Sequence, residues 1–330
     1  MPPTEPVAPR RSRWTLWLRF AVSGVLLAVL IAKIDFDNLV PERTHLATFA
    51  WLIAGLLAAV LGIILSAWRW QRVLDVFDVH APFRVLLSHN LAGQFVGNVL
   101  PTTIGGDILR VSRGGRTTNS TEVAFASVVL ERMTGFVVLP VLTLLGFLAR
   151  PSLLDEDRAW LALLIAGVTL LVLAILLFLA GHPRIAGRFA EHESWMRFIG
   201  AVHVGVDRLR REPREALGVL VAAFAYQVVW TVLVVLCAVK TLDVPIPLAA
   251  VLAYAPAVAS IQVLPISISG LGVREGMLVI FLVPLGATSG QAVAVGLLWY
   301  ALVLVVSLLG APLFAVGHRH RAPSTTAAAP

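Results

Sequence analysis

Charge is what this chain has least of. Only 14% of its 330 residues are Asp, Glu, Lys or Arg, against about a quarter in a soluble domain. So few charges cannot cover a water-facing surface, which excludes an ordinary cytosolic enzyme. Cysteine is nearly absent as well: Cys237 stands alone inside an apolar run, excluding an intrachain disulfide and a multi-cysteine metal site. Lysine is scarce, with Lys33 and Lys240 the only two. There is no Walker loop, no HExxH zinc motif and no G-x-S-x-G elbow. Gly270-Leu271-Gly272 lacks the third glycine of a dinucleotide fingerprint, and His89 and His203 have no partners at ligand spacing. We therefore expect no enzymatic activity, no metal and no cofactor.

Apolar length is abundant. Hydrophobic residues make up 58% of the chain, and the mean hydropathy is +0.87. Several runs reach about 20 residues, enough to span roughly 30 Å of hydrocarbon as helix. An outer-membrane barrel would instead show alternating segments of about ten residues. The expected fold is an all-α polytopic membrane helix bundle. Its spans are read at 14–34, 47–68, 123–148, 159–181, 215–239 and 291–316. The first follows Arg10, Arg11 and Arg13 but is too long for a signal h-region and has no small-x-small cleavage site, so it reads as a retained span.

Two further apolar stretches, about 84–120 and 246–289, do not read as simple spans. In the first, an arm ending at Val99 meets Pro101, and a new helix starts near Gly105-Gly106-Asp107. After that break only Ile108 and Leu109 precede Arg110, Arg113 and Arg116, so the second arm cannot cross. The second stretch breaks at Pro265 to Gly272 and restarts at Val273-Arg274-Glu275. Both are predicted to be re-entrant hairpins, a shape tolerated where it packs in protein or lines a cavity. The breaks share residue types, although Gly105 and Gly106 are spaced differently from Gly270 and Gly272.

Each half then reads as span, span, hairpin, span. An odd number of crossings inverts the second half, the pattern of transporters with a site near mid-membrane. The domain reading is a disordered cytoplasmic tail at 1–13, a first inverted repeat at 14–148, a second at 149–317 and a disordered cytoplasmic tail at 318–330. Orientation follows the arginines. Besides Arg19 and Arg132, in the inner parts of their spans, only Lys33, Arg43, Arg150, Arg158, Lys240 and Arg274 fall outside the segments assigned to the cytoplasmic side. Both termini are predicted inside a multi-pass cytoplasmic (inner) membrane protein. The net charge of +7 reflects this bias, and no nucleic-acid partner is expected.

The chemistry-bearing candidates are Asp107, Arg110, Glu131, Arg132, Arg274 and Glu275 at membrane depth, with Gly105, Gly106, Gly270 and Gly272 at the breaks. A charge near the bilayer centre costs from about 2.5 to over 10 kcal/mol, so such residues usually face a wet cavity. Glycines let backbone N–H groups approach a ligand at a helix start, and arginine offers a fork of donors suited to phosphate. Asp107 is equally a good N-cap. Arg113 and Arg116 read as topology signals, and Arg69 and Arg72, flanked by Trp68 and Trp70, as an interfacial anchor.

Ser66 to Trp70, Asn98 to Pro101 with Gly105 to Arg110, Ala126 to Gly135 and Pro265 to Glu275 together resemble the lysylphosphatidylglycerol synthase transmembrane-region family of flippase-like proteins, over about residues 15–316. In bifunctional members this region precedes a soluble lipid-aminoacylating domain. That domain is not in this sequence, so the resemblance implies movement of a lipid between leaflets and not aminoacyl transfer. The expected function is translocation of an anionic phospholipid or a polyprenyl-phosphate-linked lipid. Arg110, Arg132 and Arg274 would hold the headgroup, and Asp107, Glu131 or Glu275 would couple to protons. The alternatives are a membrane-embedded glycosyl- or lipid-transferase, for which Asp155-Glu156-Asp157 is the acidic cluster, and a non-transporting scaffold. The expected partners are an anionic lipid headgroup and the membrane, with a second copy of the chain or an envelope-synthesis enzyme as further candidates.

Overall fold

The computed structural model describes residues 46–99, 105–181, 196–262 and 270–316. The expected span at 14–34, both tails, and the segments holding Pro101 and Pro265 lie outside these residues. The described residues are helical throughout their regular structure and contain no strand. In chain order they are α1 (Leu46–Asp75), α2 (Phe83–Val99), α3 (Gly105–Thr117), α4 (Thr121–Ala149), α5 (Ala159–Gly181) and α6 (Met196–Arg211). Then come α7 (Pro213–Thr241), α8 (Leu248–Gln262), α9 (Val273–Leu282), α10 (Ser289–Ser307) and α11 (Ala311–Val316).

Among the described residues, five helices are long and apolar enough to cross a bilayer: α1, α4, α5, α7 and α10 with its extension toward α11. α5 turns Leu164, Leu171, Ile175 and Phe178 outward, as a helix facing lipid tails should. The helix starts follow local chemistry. Ser120 caps α4 by accepting the Val123 N–H at 3.2 Å, and Thr288 and Gln291 form a capping box on α10. Pro213 opens α7, where its missing N–H costs nothing. The two arms 84–120 and 246–289 each fold as a pair of packed helices, α2 on α3 and α8 on α9.

Glycines set the closest crossings. A Cβ on Gly106 of α3 would strike the carbonyl of Gly93 in α2. One on Gly146 of α4 would overlap the backbone of Leu252 and Ala253 in α8, and one on Gly310 would overlap the Leu91 carbonyl of α2. Small residues at such crossings let helix backbones touch, which in lipid replaces the hydrophobic drive. The last two contacts are reciprocal. The first half's final span grips the second half's hairpin, and the second half's final span grips the first half's.

That reciprocity exposes a regular register. Pro101, Arg110 and Gly146 recur at identical spacing as Pro265, Arg274 and Gly310. Asn98-Val99-Leu100-Pro101 matches Gln262-Val263-Leu264-Pro265, and Ile104 and Gly106 match Ile268 and Gly270 without a gap. The uneven glycine spacing stands beside this register, in which Gly106 matches Gly270 while Gly105 and Gly272 have no glycine counterpart. In the same register α1 pairs with α7, α2 with α8, α3 with α9 and α4 with α10.

Candidate functional site

The site begins on α1. Its buried stripe of small residues, Gly55, Ala59, Gly62 and Ser66, continues into Arg69. Arg69 is 6% exposed, too deep for the interfacial anchor its tryptophan neighbours implied. Arg72 does fit that reading: it is half exposed, pairs loosely with Asp75 and lies over the Trp68 ring. Arg69 instead sends Nε at 3.1 Å and Nη2 at 2.7 Å to Glu131 Oε1, which also accepts Ser66 Oγ at 3.3 Å. Room for it comes from α4, where a Cβ on Gly135 would fall 2.8 Å from Arg69 Nη1.

Glu131 is fully buried and takes Arg110 Nη2 on its other oxygen. Arg110 Nη1 lies 3.6 Å from Asp107 on the same face of α3, and Asp107 in turn meets Arg132 Nη2 at 2.8 Å. The result is a chain, Arg69–Glu131–Arg110–Asp107–Arg132, in which three guanidinium groups share two carboxylates. Arg110 Nε is buried with no partner among the described residues. The Trp70 ring lies 4.4 Å from the Arg110 guanidinium, and the Tyr226 ring 4.2 Å from that of Arg69. Both contacts favour a cation held out of water.

The second hairpin contributes a simpler pair. Gly270 and Gly272, with φ of 75° and 83°, turn the chain into α9 through left-handed conformations that glycine adopts without strain. Glu275 accepts the Gly272 N–H at 2.6 Å and holds Arg274 Nε and Nη2 at 3.0 and 2.6 Å. The Arg274 guanidinium also lies over Tyr300 and Trp299, at 5.1 and 5.7 Å from the ring centres.

Between the hairpins is a cavity of about 270 Å³. Arg69, Gly106, Asp107, Arg110 and Arg132 line one side, and Arg274 the other. Tyr226, Trp230, Trp299 and Tyr300 form aromatic walls, with carboxamides from Asn90, Gln94, Asn98, Gln227 and Gln262 between them. Of the ten candidates, five line the cavity directly. Glu131 and Glu275 stand behind the arginines they hold, while Gly105, Gly270 and Gly272 shape helix starts without lining it. Arg113 does more than mark topology, since it donates to the Leu313 and Phe314 carbonyls at 3.1 Å and caps α11.

Sequence reasoning missed Arg69, Tyr226, Gln227 and Trp230. For Arg69 the small-residue stripe at helical spacing was the available signal. Gln227 and Trp230 sit where α7 loosens into a π segment, Val228–Leu233, a local widening common at functional sites.

Together these features define a multi-pass membrane protein with a charged, aromatic-walled cavity at its centre. Residues 16–310 match the family described as lysylphosphatidylglycerol synthase TM region, and the chain belongs to that family. It is thereby a membrane protein of lipid or envelope biosynthesis. No curated protein matches it.

Proposed function

We propose that this protein translocates an anionic lipid, a phospholipid or a polyprenyl-phosphate-linked lipid, between the leaflets of the cytoplasmic membrane. The observation that carries this reading is that Arg110 and Arg274, at matching places after the two hairpin breaks, line one cavity. A phosphate there gains charge-assisted bonds from guanidinium forks, while the acyl chains stay in the bilayer. The matched register and reciprocal glycine crossings support an inverted-topology repeat, with both hairpins re-entrant from opposite faces and both termini cytoplasmic. Alternating access then arises from rocking one half against the other around a fixed site. The carboxylates serve chiefly to hold arginines, so the chain acts as a carrier and not as an enzyme.

Reconstitution in vesicles containing lipids labelled on an acyl chain tests this. Arg274→Ala should slow movement of anionic lipids by about tenfold or more, the loss of one charge-assisted bond, while the protein still inserts and stays folded. Arg116→Ala, at an exposed position outside the cavity, is the control. Equal behaviour of the two variants on phosphate-bearing and neutral lipids would sink the carrier reading in favour of a scaffold. Topology is tested separately by cysteine labelling at Ser194 and Asp155 in a Cys237→Ser background. Labelling of the Ser194 position from outside intact cells would overturn the orientation.

A further inference from the structure

Resting on the carrier reading, we propose that the cargo is a singly anionic phosphodiester lipid whose headgroup is hydroxylated and carries no cation, such as a phosphoglycerol or glycosyl phosphodiester. The first argument is charge. The cavity and the layer behind it hold four guanidinium groups, Arg69, Arg110, Arg132 and Arg274, against three carboxylates, Asp107, Glu131 and Glu275. The surplus of one positive charge matches the one negative charge of a phosphodiester. A phosphate monoester approaching two negative charges would leave an uncompensated charge in a water-poor site, which is costly.

The second argument concerns what the cavity lacks for a cation. Each of the three carboxylates already holds one or two arginines. The rings of Tyr226, Trp299 and Tyr300 each carry one of the protein's own guanidinium groups, which repels a second cation from the same wall. The segments 100–104 and 263–269 contain no Asp or Glu. Among the described residues of the site, no acidic group is left for the ammonium of an aminoacylated headgroup. In this respect the cavity does not fit the lysyl-bearing lipid in the family's name.

The third argument is the set of spare amides. Gln94 Nε2, Asn98 Oδ1 and both ends of the Gln262 carboxamide have no partner among the described residues, and all three side chains line the cavity. A bare phosphate only accepts hydrogen bonds and has no use for spare acceptors. Hydroxyls both donate and accept, as carboxamides do. Size agrees: about 270 Å³ has room for roughly nine water-sized groups at about 30 Å³ each, well beyond the five atoms of a phosphate. Arg132, half exposed beside Asp107, is the guanidinium placed to reach the cargo phosphate while keeping that carboxylate.

The test uses the full-length protein in phosphatidylcholine vesicles carrying trace lipids labelled on an acyl chain: phosphatidylglycerol, phosphatidic acid, lysyl-phosphatidylglycerol or phosphatidylethanolamine. Dithionite quenching reads movement between leaflets. Phosphatidylglycerol should move at least about fivefold faster than each of the others. Gln94→Leu and Gln262→Leu, each checked for unchanged elution and unfolding midpoint, should lower the phosphatidylglycerol-to-phosphatidic acid ratio about fivefold, the scale of one lost hydrogen bond. Native mass spectrometry with the same lipids should give the same order of retention without requiring transport. Phosphatidic acid moving as fast as phosphatidylglycerol, with phosphatidylethanolamine slow, overturns the headgroup class and leaves the anionic-lipid reading standing, whereas equally fast movement of lysyl-phosphatidylglycerol, a net cationic lipid, overturns both. No preference for any anionic lipid in either assay overturns both. A separate arm offers radiolabelled glycerophosphoglycerol to the same vesicles. Its uptake without lipid movement would uphold the headgroup chemistry and overturn the lipid as its source.

Discussion

The two hairpins share a frame and differ in what surrounds their arginines. Arg110 and Arg274 occupy matching positions, yet Arg110 is tied to Glu131 and Asp107, and through them to Arg69 and Arg132. Among the described residues, Arg274 has only its neighbour Glu275 and two aromatic rings. In the shared register Glu131 and Arg132 of the first half correspond to Val295 and Gly296 of the second. Gly296 does a different task there: a Cβ on it would lie 3.0 Å from Glu275 Cγ, so its bareness makes space for the carboxylate. Backbone geometry is therefore repeated while electrostatics are not. One hairpin is locked into a buried ionic network, and the other presents a nearly self-contained pair to the same cavity.

This difference ranks the expected effects. Glu131→Gln should be the most damaging, because it leaves Arg69 buried without a carboxylate and Arg110 with only Asp107 at 3.6 Å, a loss of about 3–5 kcal/mol. Glu275→Gln removes the carboxylate from one arginine and leaves an amide oxygen for only one of Arg274 and the Gly272 N–H, so its cost should be smaller, about 1–3 kcal/mol. Unfolding midpoints in detergent compare them, and equal losses would break the proposed asymmetry.

Arg→Lys exchanges come next. Lysine at 110 cannot span Glu131 and Asp107 as the fork does, so Arg110→Lys should lower both stability and lipid movement. Arg274→Lys should lose movement severalfold and keep stability within about 1 kcal/mol. A stability loss at 274 matching that at 110 would show that both arginines are structural.

Gly146→Val and Gly310→Val sharpen the symmetric side of the comparison. Each forces a side chain onto the backbone of the opposite half's hairpin, at about 1–3 kcal/mol. The two should be alike, and a large effect at one with none at the other would undercut the reciprocal packing. The smallest effects belong to the arginines outside the cavity. Arg113→Ala should cost about 0.5–1.5 kcal/mol by freeing two carbonyls, and Arg116→Ala should stay within about 0.5 kcal/mol.

Much of the architecture was legible because its signals are local. Apolar runs long enough to span and glycines that start a helix act within a few residues, and the described helices follow them closely. The paired helices within 84–120 and 246–289 were readable for the same reason, since glycines and a charged residue mark where α3 and α9 start. The repeat register is carried by Pro101 and Pro265 with Arg110 and Arg274, while only one glycine of each pair shares it. Adjacent residues resisted a linear reading: Glu131 is fully buried while Arg132 is half exposed in the same turn of α4. Arg69 and Arg72, one turn apart on α1, likewise differ in burial and role. Composition and spacing specified an all-α membrane bundle and picked out Arg110, Glu131, Arg274 and Glu275, which are buried in it. Which charges meet depended on Gly135 leaving space for Arg69, and on a carboxylate 62 residues away. Such pairing is a property of packed helices, because a buried guanidinium is stable only where distant segments bring its partner to hydrogen-bonding range.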